Sequence, residues 1–190
     1  MKRPLQFVLQ FPPTEIDALA ERYSYAQDND VLDAGSRIAL GDFSRANLRT
    51  IVKWKSPRPA ALIEENTESD IAVALQFASA QTTPEAMAVA VLTALRGVGI
   101  PMASAILTAI NPERYTVLDF RALESLGIKN WPDSFAFYVT YLETCRELAA
   151  RHGKSLRTLD RALWQWSKER GAIVARGRHD GDVAEAREIR

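Results

Sequence analysis

The chain has 190 residues, of which 47% are hydrophobic and 25% charged, a size that suits one globular unit and excludes a large multidomain machine. Its 24 basic and 24 acidic residues balance, which argues against a tail-driven binder of polyanions but permits a local basic patch. With one cysteine, the chain cannot form an intrachain disulfide, a thiolate-only zinc site or a four-cysteine iron–sulfur cluster. We therefore expect a reduced, cytoplasmic setting.

The N-terminal segment MKRPLQFVLQFPP makes a poor signal peptide. Its apolar stretch is short, contains glutamine and is broken by Pro12 and Pro13. No run approaches the length of about 20 apolar residues that a membrane-spanning helix needs. The sequence therefore predicts neither a secretory signal nor a membrane span.

Apolar residues recur at helical spacing along most of the chain, and the alternation typical of strands is scarce. The helical pattern is clearest in the segments 16–23, 71–77 and 135–142. Thr83-Pro84-Glu85 has the composition of a helix start, with Thr83 as the N-cap, and Asn111-Pro112 ends a helix. We predict an all-α protein of about eight to ten helices.

Two stretches concentrate basic charge. Nine basic residues stand against four acids between Glu143 and Arg178. A second cluster surrounds Trp54, and its candidate phosphate contacts are Lys53, Lys55 and Arg58. Solvated helix faces also carry such clusters, so the basic charge by itself leaves both interpretations open.

The segment 92–107, LTALRGVGIPMASAIL, predicts two helices joined by a tight hairpin. One helix ends near Leu95 and the next begins at about Pro101, whose fixed φ suits a first helical turn. Gly97 and Gly99 allow positive φ and leave no side chains beside the turn. Because backbone N–H groups point outward at a helix start, the hairpin formed by Gly97, Val98, Gly99, Ile100 and Pro101 suits a DNA phosphate. A helix connection that merely needs glycine is the alternative.

This segment resembles the helix-hairpin-helix DNA glycosylase superfamily, which includes endonuclease III, the 8-oxoguanine glycosylases and the alkyl-purine glycosylases. In that family an L-x-G-x-G hairpin leads into a helix of small residues, and a catalytic aspartate follows. Here ASAIL and TAINPERYTVL follow the hairpin, and Asp119 comes 20 residues after Gly99. The resemblance covers residues 85–127.

The resemblance implies a fold, a partner and a setting. It implies a two-lobed all-α unit over residues 1–178 without an iron–sulfur cluster, followed by a frayed polar tail at 179–190. The implied partner is double-stranded DNA, from which a base is flipped into a cleft between the lobes. We expect a monomer in the cytoplasm, associated with the nucleoid and not with a membrane.

The implied chemistry centres on Asp119. As a carboxylate it would stabilise the oxocarbenium-like sugar and orient a water while the N-glycosidic bond breaks. Lyase members of the family carry a lysine two residues after the second glycine, where this chain has Pro101. Hydrolysis without lyase activity is therefore implied, and a lyase would need an amine from elsewhere: Lys53, Lys55, Lys129 or Lys154. Asp119 also suits the N-cap of the following helix, and the two roles are compatible.

The candidate base pocket rests on aromatic and sulfur side chains. The candidates are Trp54, Met102, Trp164 and Trp166. Because Trp164 and Trp166 lie two apart, they cannot share a helix face, and we expect one in the core and the other nearer solvent or the cleft.

Arg121 stands where many family members have histidine. It can pair with Asp119, reach a phosphate, or form an i,i+3 ion pair with Glu124.

The expected metal and cofactor ligands of the protein are limited to one monovalent cation. In family members bound to DNA, backbone carbonyls at the positions of Thr93, Leu95 and Val98 hold a monovalent cation. The resemblance thus implies a K⁺ or Na⁺ at the hairpin and no other cofactor. His152 and His179 lack the spacing of a zinc pair.

The sequence predicts a monofunctional DNA glycosylase, in base-excision repair or in defence against modified foreign DNA. Three alternatives stay open. They are a catalytically inactive helix-hairpin-helix DNA-binding protein, a lyase with a relocated lysine, and an all-α interaction protein with a coincidental G-V-G. The excised base is not predicted.

Overall fold

The computed structural model describes residues 6–23 and 28–185, with side chains as far as residue 171. Every regular element in these ranges is helical: ten α-helices and one 3-10 turn at Pro13–Glu15. The predicted all-α class is confirmed. The first five residues of the N-terminal segment and the last five of the polar tail lie outside the described ranges.

The α-helices follow one another with short connections. Their bounds are α1 (Ile16–Glu21), α2 (Asp28–Ala39), α3 (Arg45–Lys55), α4 (Ala60–Ile63), α5 (Glu68–Ser79), α6 (Glu85–Thr93), α7 (Ile100–Ile110), α8 (Phe120–Ser125), α9 (Phe135–Arg151) and α10 (Leu156–Glu185). The last helix therefore includes the first part of the segment expected to fray.

Helix α7 forms the centre of the fold. Ten of its eleven residues are buried, and only Pro101 is exposed. The helix packs against α2, α3 and α6, and its small side chains allow close approach. A Cβ at Gly35 of α2 would lie 1.9 Å from the carbonyl oxygen of Ala109, so glycine is required where these two helices touch.

The helix contacts fall into two sets. Helices α2 to α7 pack mainly on one another, whereas α10 packs against α1, α8 and α9. Contacts between α6 and α9 join the two sets. After α1, which belongs to the second set, the chain forms α2 to α7 and returns to the second set at residues 111–119, directly before α8.

An extended N-terminal segment fixes the far end of α8. The N–H of Val8 donates to the carbonyl of Leu126 and that of Gln10 to Ser125, both at 2.9 Å. The Ser125 hydroxyl in turn donates to the carbonyl of Leu163 on α10 at 2.6 Å. These bonds hold α8 rigidly against α10, so the residue at its start has a defined position.

Some helix ends differ from the sequence prediction. Pro84, not Thr83, is the N-cap of α6, and the Thr83 hydroxyl instead donates to the carbonyl of Phe77 at 2.8 Å. Helix α6 ends at Thr93 before the predicted Leu95, and α7 begins one residue before Pro101. In the described part of the chain, no helix is both long and apolar enough to cross a bilayer.

Candidate active site

The hairpin between α6 and α7 uses its two glycines differently. Gly97 has a φ of +85°, and a Cβ there would lie 3.0 Å from the Cβ of Leu62. Gly99, with φ −93° and ψ 177°, is the extended N-cap of α7. Both glycines allow positive φ, and only Gly97 uses it. Its missing side chain leaves the start of α7 open, because only the Cδ of Pro101 lies within 4 Å of an added Cβ.

Asn66 ties the hairpin to the preceding part of the chain. Its Oδ1 accepts from the N–H of Arg96 at 2.8 Å, and its Nδ2 donates to the carbonyl of Arg96 at 3.2 Å. Pro59 and Leu62 also contact the turn beside Gly97. The hairpin is thus packed on the segment that follows α3.

The segment that leads into α8 is extended and buried. The N–H of Leu118 donates to the hydroxyl of Ser104 on α7 at 2.8 Å. The phenol of Tyr141 on α9 donates to the carbonyl of Val117 at 2.8 Å. Side chains from α7 and α9 therefore fix the backbone directly before Asp119.

Asp119 combines the two roles considered for it, helix cap and pocket residue. As the N-cap of α8, its Oδ1 accepts from the N–H of Arg121 at 2.8 Å. Its Oδ2 accepts from the Nζ of Lys55, the last residue of α3, at 2.5 Å. The side chains of Lys55 and Asp119 are only 15% and 17% exposed, so the ion pair is largely shielded from water.

A small pocket of about 50 Å³ adjoins this ion pair. Three kinds of side chain line it: aromatic rings, charged groups and two small apolar residues. They are Tyr23, Trp54, Lys55, Val117, Asp119, Ala122, Arg157, Asp160 and Trp164. The pocket thus forms between α3 and the α8–α10 pair, with Tyr23 following α1.

A network of charged side chains borders the other part of the pocket. Asp28 accepts from Arg157 and from Arg161, both at 2.5 Å, and Arg157 also donates to Asp160. Thr116 donates to the second oxygen of Asp160 at 3.2 Å. We call Asp28, Arg157, Asp160 and Arg161 the arginine network.

Burial dominates the electrostatics of this part of the pocket. It raises the pKa of Asp160 above its ordinary value, although the positive charges of Arg157 and Lys55 oppose the shift. Burial likewise raises the pKa of Tyr23, against the opposing charge of Arg157. The Tyr23 phenol is therefore neutral at physiological pH.

The aromatic walls are held in place by the arginine network. The guanidinium of Arg157 faces the rings of Tyr23 and Trp54, 5.7 and 6.0 Å from their centroids. Tyr23 meets Trp164 edge to face at 5.2 Å. The rings are therefore held in place, and cationic side chains already face them: Arg157 and Arg161 face Tyr23, and Arg121 and Lys168 face Trp164.

The predicted pocket residues separate into two groups. Trp54 and Trp164 line the pocket, as does Lys55. Trp166 instead stacks on Phe11 at 5.8 Å, packed against the core. Met102 is buried in the core on α7 and does not line the pocket.

Of the predicted phosphate contacts, Lys55 alone lines the pocket. Lys53 and Arg58 are exposed, whereas Lys55 points inward to Asp119. The Arg121 guanidinium stacks between Phe120 and Trp164, 5.0 and 5.5 Å from their ring centroids. Among the described ion pairs none joins Arg121 to a carboxylate, because stacking occupies its guanidinium.

Sequence reasoning missed the small apolar residues Val117 and Ala122 and three polar or charged pocket residues, Tyr23, Arg157 and Asp160. The last two carried a usable signal. Positions 157, 160, 161 and 164 share one face of a helix, so two arginines and one aspartate of α10 accompany Trp164 on that face. Tyr23 follows α1 and carried no comparable signal.

The remaining lysines and metal candidates lie elsewhere. Lys154 forms an ion pair with Asp17, and Lys129 is exposed. At the hairpin, the carbonyl of Leu95 accepts from the N–H of Val98 at 3.1 Å. Over the described side chains, which exclude His179, no three His, Cys, Asp or Glu residues converge on a metal site.

A broader groove lies on the other face of α8. Ala122 of this helix faces the pocket, whereas Phe120 and Glu124, two residues before and after it, line the groove. Trp131, Lys129 and Arg170 also line the groove. Phe120 is 59% exposed there.

Comparison of the chain with protein-family models, with curated proteins and with solved structures found no match.

Proposed function

We propose that this protein is a DNA glycosylase that hydrolyses the N-glycosidic bond of a damaged or modified base flipped out of double-stranded DNA. The observation that carries the proposal is the position of Asp119, whose carboxylate lines a preformed pocket with three aromatic walls. Such a pocket offers stacking surfaces to a planar base and a carboxylate to the sugar beside it.

The mechanism follows from the fixed position of the carboxylate. As the N-glycosidic bond stretches, positive charge develops on the sugar, and a preorganised anion lowers the energy of that state without reorganising. The N–H of Arg121 orients Asp119 through Oδ1. The second oxygen, now bonded to Lys55, faces the pocket side where sugar and water would meet.

The DNA-binding surface in this proposal combines the hairpin with the basic residues near the pocket mouth. The exposed start of α7 at Gly99 presents backbone N–H groups to a phosphate. Lys53 and Arg58 add positive charge beside Trp54. The segment from Pro59 to Leu62, which follows α3, lies beside Gly97 of the hairpin.

A monovalent K⁺ or Na⁺ fits the hairpin only as an accessory. The carbonyls of Thr93, Leu95 and Val98 are oxygen ligands, which such an ion prefers. When bound, it would bridge the hairpin to a phosphate. We propose no other cofactor, and the division of the helices into two contact sets supports the two-lobed glycosylase plan.

The biological setting is part of the same proposal. A monomer acting on double-stranded DNA in the nucleoid would serve base-excision repair or defence against modified foreign DNA. The residues of the pocket favour a planar ring with polar edges, because Arg157 and Asp160 stand beside the aromatic walls.

The test uses a duplex in which a cationic pyrrolidine replaces one nucleotide. This group mimics the sugar cation and requires no knowledge of the base. We expect the wild-type protein to prefer it over plain duplex by about tenfold or more at matched salt, which corresponds to about 1.4 kcal/mol. Asp119→Asn should lose the preference, since the amide keeps the helix cap but not the charge.

A catalytically inactive DNA-binding protein is the second candidate, favoured by the same hairpin geometry. It would bind plain and pyrrolidine duplexes equally, and Asp119→Asn would change neither affinity. That result would overturn the glycosylase proposal while keeping the DNA-binding surface.

A further inference from the structure

The groove on the other face of α8 is a second concave surface that the proposed glycosylase reaction does not use. Its volume is about 510 Å³, against about 50 Å³ for the pocket at Asp119. Ligand sites in proteins typically measure about 300–1,000 Å³. The groove is therefore large enough for an occupant of its own.

Two aromatic rings of the groove are open to solvent. Phe120, the first residue of α8, is 59% exposed, and Trp131, in the loop between α8 and α9, is 38% exposed. Large apolar side chains grouped in a concave surface mark a binding site, because their burial by a ligand is favourable. Aromatic rings in such a position suit a ligand with planar groups that stack on them.

The charged side chains of the groove favour an anionic ligand. Among the described residues that line it, Lys129 and Arg170 are basic and Glu124 is acidic. Both basic side chains are exposed. The carboxylate of Glu124 already accepts a hydrogen bond from the Ser167 hydroxyl at 2.5 Å. A ligand that combines planar rings with regularly spaced negative charges is a strand of nucleic acid.

Arg121 connects the groove to the pocket. Its guanidinium lies 5.0 Å from the ring centroid of Phe120, which lines the groove, and 5.5 Å from that of Trp164, which lines the pocket. The Nζ of Lys168 lies 4.9 Å from the same Trp164 ring. Cations and rings therefore alternate from the pocket, past the start of α8, into the groove.

We propose that the groove binds an unpaired stretch of DNA strand that continues from the nucleotide held in the pocket. The inference rests on the proposed function, because it requires a nucleotide of the same strand beside Asp119. Bases of the unpaired stretch stack on Phe120 and Trp131, and its phosphates contact Lys129 and Arg170. The substrate class is thus DNA in which a single-stranded segment adjoins the target nucleotide.

Fully paired DNA cannot occupy the groove in this way. Bases in a duplex stack on one another and face their complements, so their rings are not available to protein side chains. An extended protein segment is the other occupant that an apolar groove can take. It would need acidic side chains matched to Lys129 and Arg170, whereas every nucleotide carries a phosphate.

The experiment compares duplexes that differ only in a single-stranded arm. The full chain is titrated into a labelled duplex that is blunt or carries an arm of about eight nucleotides at its 3′ or 5′ end. Each duplex is prepared with and without the pyrrolidine nucleotide at the junction. Fluorescence anisotropy should show that an arm at one of the two ends increases affinity about fivefold or more at matched salt, the effect of stacking at least one base.

Two variants remove the stacking surfaces. Phe120→Ala and Trp131→Ala should each lose most of the gain from the arm, and Trp131→Phe, which keeps a ring, should retain most of it. The matched control is Phe77→Ala. Phe77 lies on α5, is 45% exposed and lines neither the pocket nor the groove, so the gain should persist. Because all three native rings are exposed, these substitutions leave the fold intact.

A charge variant tests the contact with phosphate. Arg170→Gln should weaken binding of the armed duplex and lower the slope of log affinity against log salt by about one. The control is Arg151→Gln, at the exposed end of α9 and outside the groove, which should leave the gain from the arm unchanged.

The outcomes separate this inference from the proposed function. No gain from either arm, or a gain that both aromatic variants retain, overturns the inference, and a protein segment as the natural occupant would give the first result. The glycosylase proposal then stands if the Asp119-dependent preference for pyrrolidine persists. A gain that both aromatic variants lose and Phe77→Ala keeps supports the inference. If that gain occurs without any preference for pyrrolidine, the groove binds single-stranded DNA and the glycosylase proposal is overturned.

Discussion

Two clusters of ion-paired side chains border the pocket. They differ in the number of hydrogen-bonding and ion-pair partners that each charged group has. Lys55 and Asp119 form a single ion pair through Oδ2 of the carboxylate. The other oxygen of Asp119, Oδ1, caps helix α8. In the arginine network, Asp28 receives two guanidinium groups, and Arg157 binds two carboxylates and faces two rings. One cluster has few bonds to break and the other has many.

The number of partners bears on whether a charged side chain can react or serves to hold its neighbours in place. A side chain that exchanges a proton must separate from its ion-pair partner, and the free energy of that separation is lower when few hydrogen bonds hold the pair. A side chain that positions aromatic walls is better held by several bonds, which fix its geometry. If the proposed function holds, the Lys55–Asp119 pair is the reactive end of the pocket, and the arginine network is its structural end.

The largest expected effect comes from breaking the structural end. Asp28→Ala removes the shared acceptor of Arg157 and Arg161. Arg157, whose side chain is 11% exposed, keeps only Asp160, and Arg161, which is 34% exposed, loses its described carboxylate partner. Because buried charges without partners are costly, we expect the free energy of unfolding to fall by about 3 kcal/mol. Urea denaturation followed by circular dichroism measures this change.

The control truncates an aspartate of an exposed pair. Asp17, whose side chain is 57% exposed, pairs with Lys154. Asp17→Ala should change the free energy of unfolding by less than about 1 kcal/mol, since water and salt screen exposed pairs. Equal losses in the two variants would contradict the structural role assigned to the arginine network.

A structural feature could be predicted from the sequence when residues close together in the chain determine it. The hairpin is set by consecutive residues, because the demand for positive φ at Gly97 depends on the turn itself. The cap at Asp119 is equally local. Both were predictable from spacing and residue type.

The pocket was only partly predictable because it forms from distant parts of the chain. Trp54 and Trp164 are 110 residues apart in sequence, and only packing of the two helix sets brings them together. Lys55 was predicted to contact phosphate, since nothing local shows that its amine points toward Asp119. Arg157 was counted only as basic charge, although its helical register with Trp164 shows that they share a face.

The pH dependence of stability offers a second test of the structural end. Because burial raises the pKa of Asp160, the folded state binds a proton at a pH where the unfolded chain has not yet bound one. As pH falls through the raised pKa toward the ordinary value of 3.8, this residue's contribution to stability increases.

Asp160→Asn removes that titration and is the matched reference. Urea unfolding of both proteins between about pH 7 and about pH 4 should show wild type gaining stability relative to the variant as pH falls. A relative loss of wild-type stability on acidification would mean that the attraction of Arg157 outweighs burial.

The smallest expected change in stability belongs to the reactive end. Asp119→Asn keeps the oxygen that accepts from the N–H of Arg121, and asparagine caps helices as well as aspartate does. The ammonium of Lys55 loses its partner, but the flexible stem of lysine can carry it toward the open mouth of the pocket. We therefore expect a fall of at most about 1 kcal/mol in the free energy of unfolding, measured by urea denaturation, beside a loss of about a hundredfold or more in any activity. A loss comparable with that of Asp28→Ala would instead assign the Lys55–Asp119 pair to the structural framework, because a reactive pair must be separable at little cost to the fold.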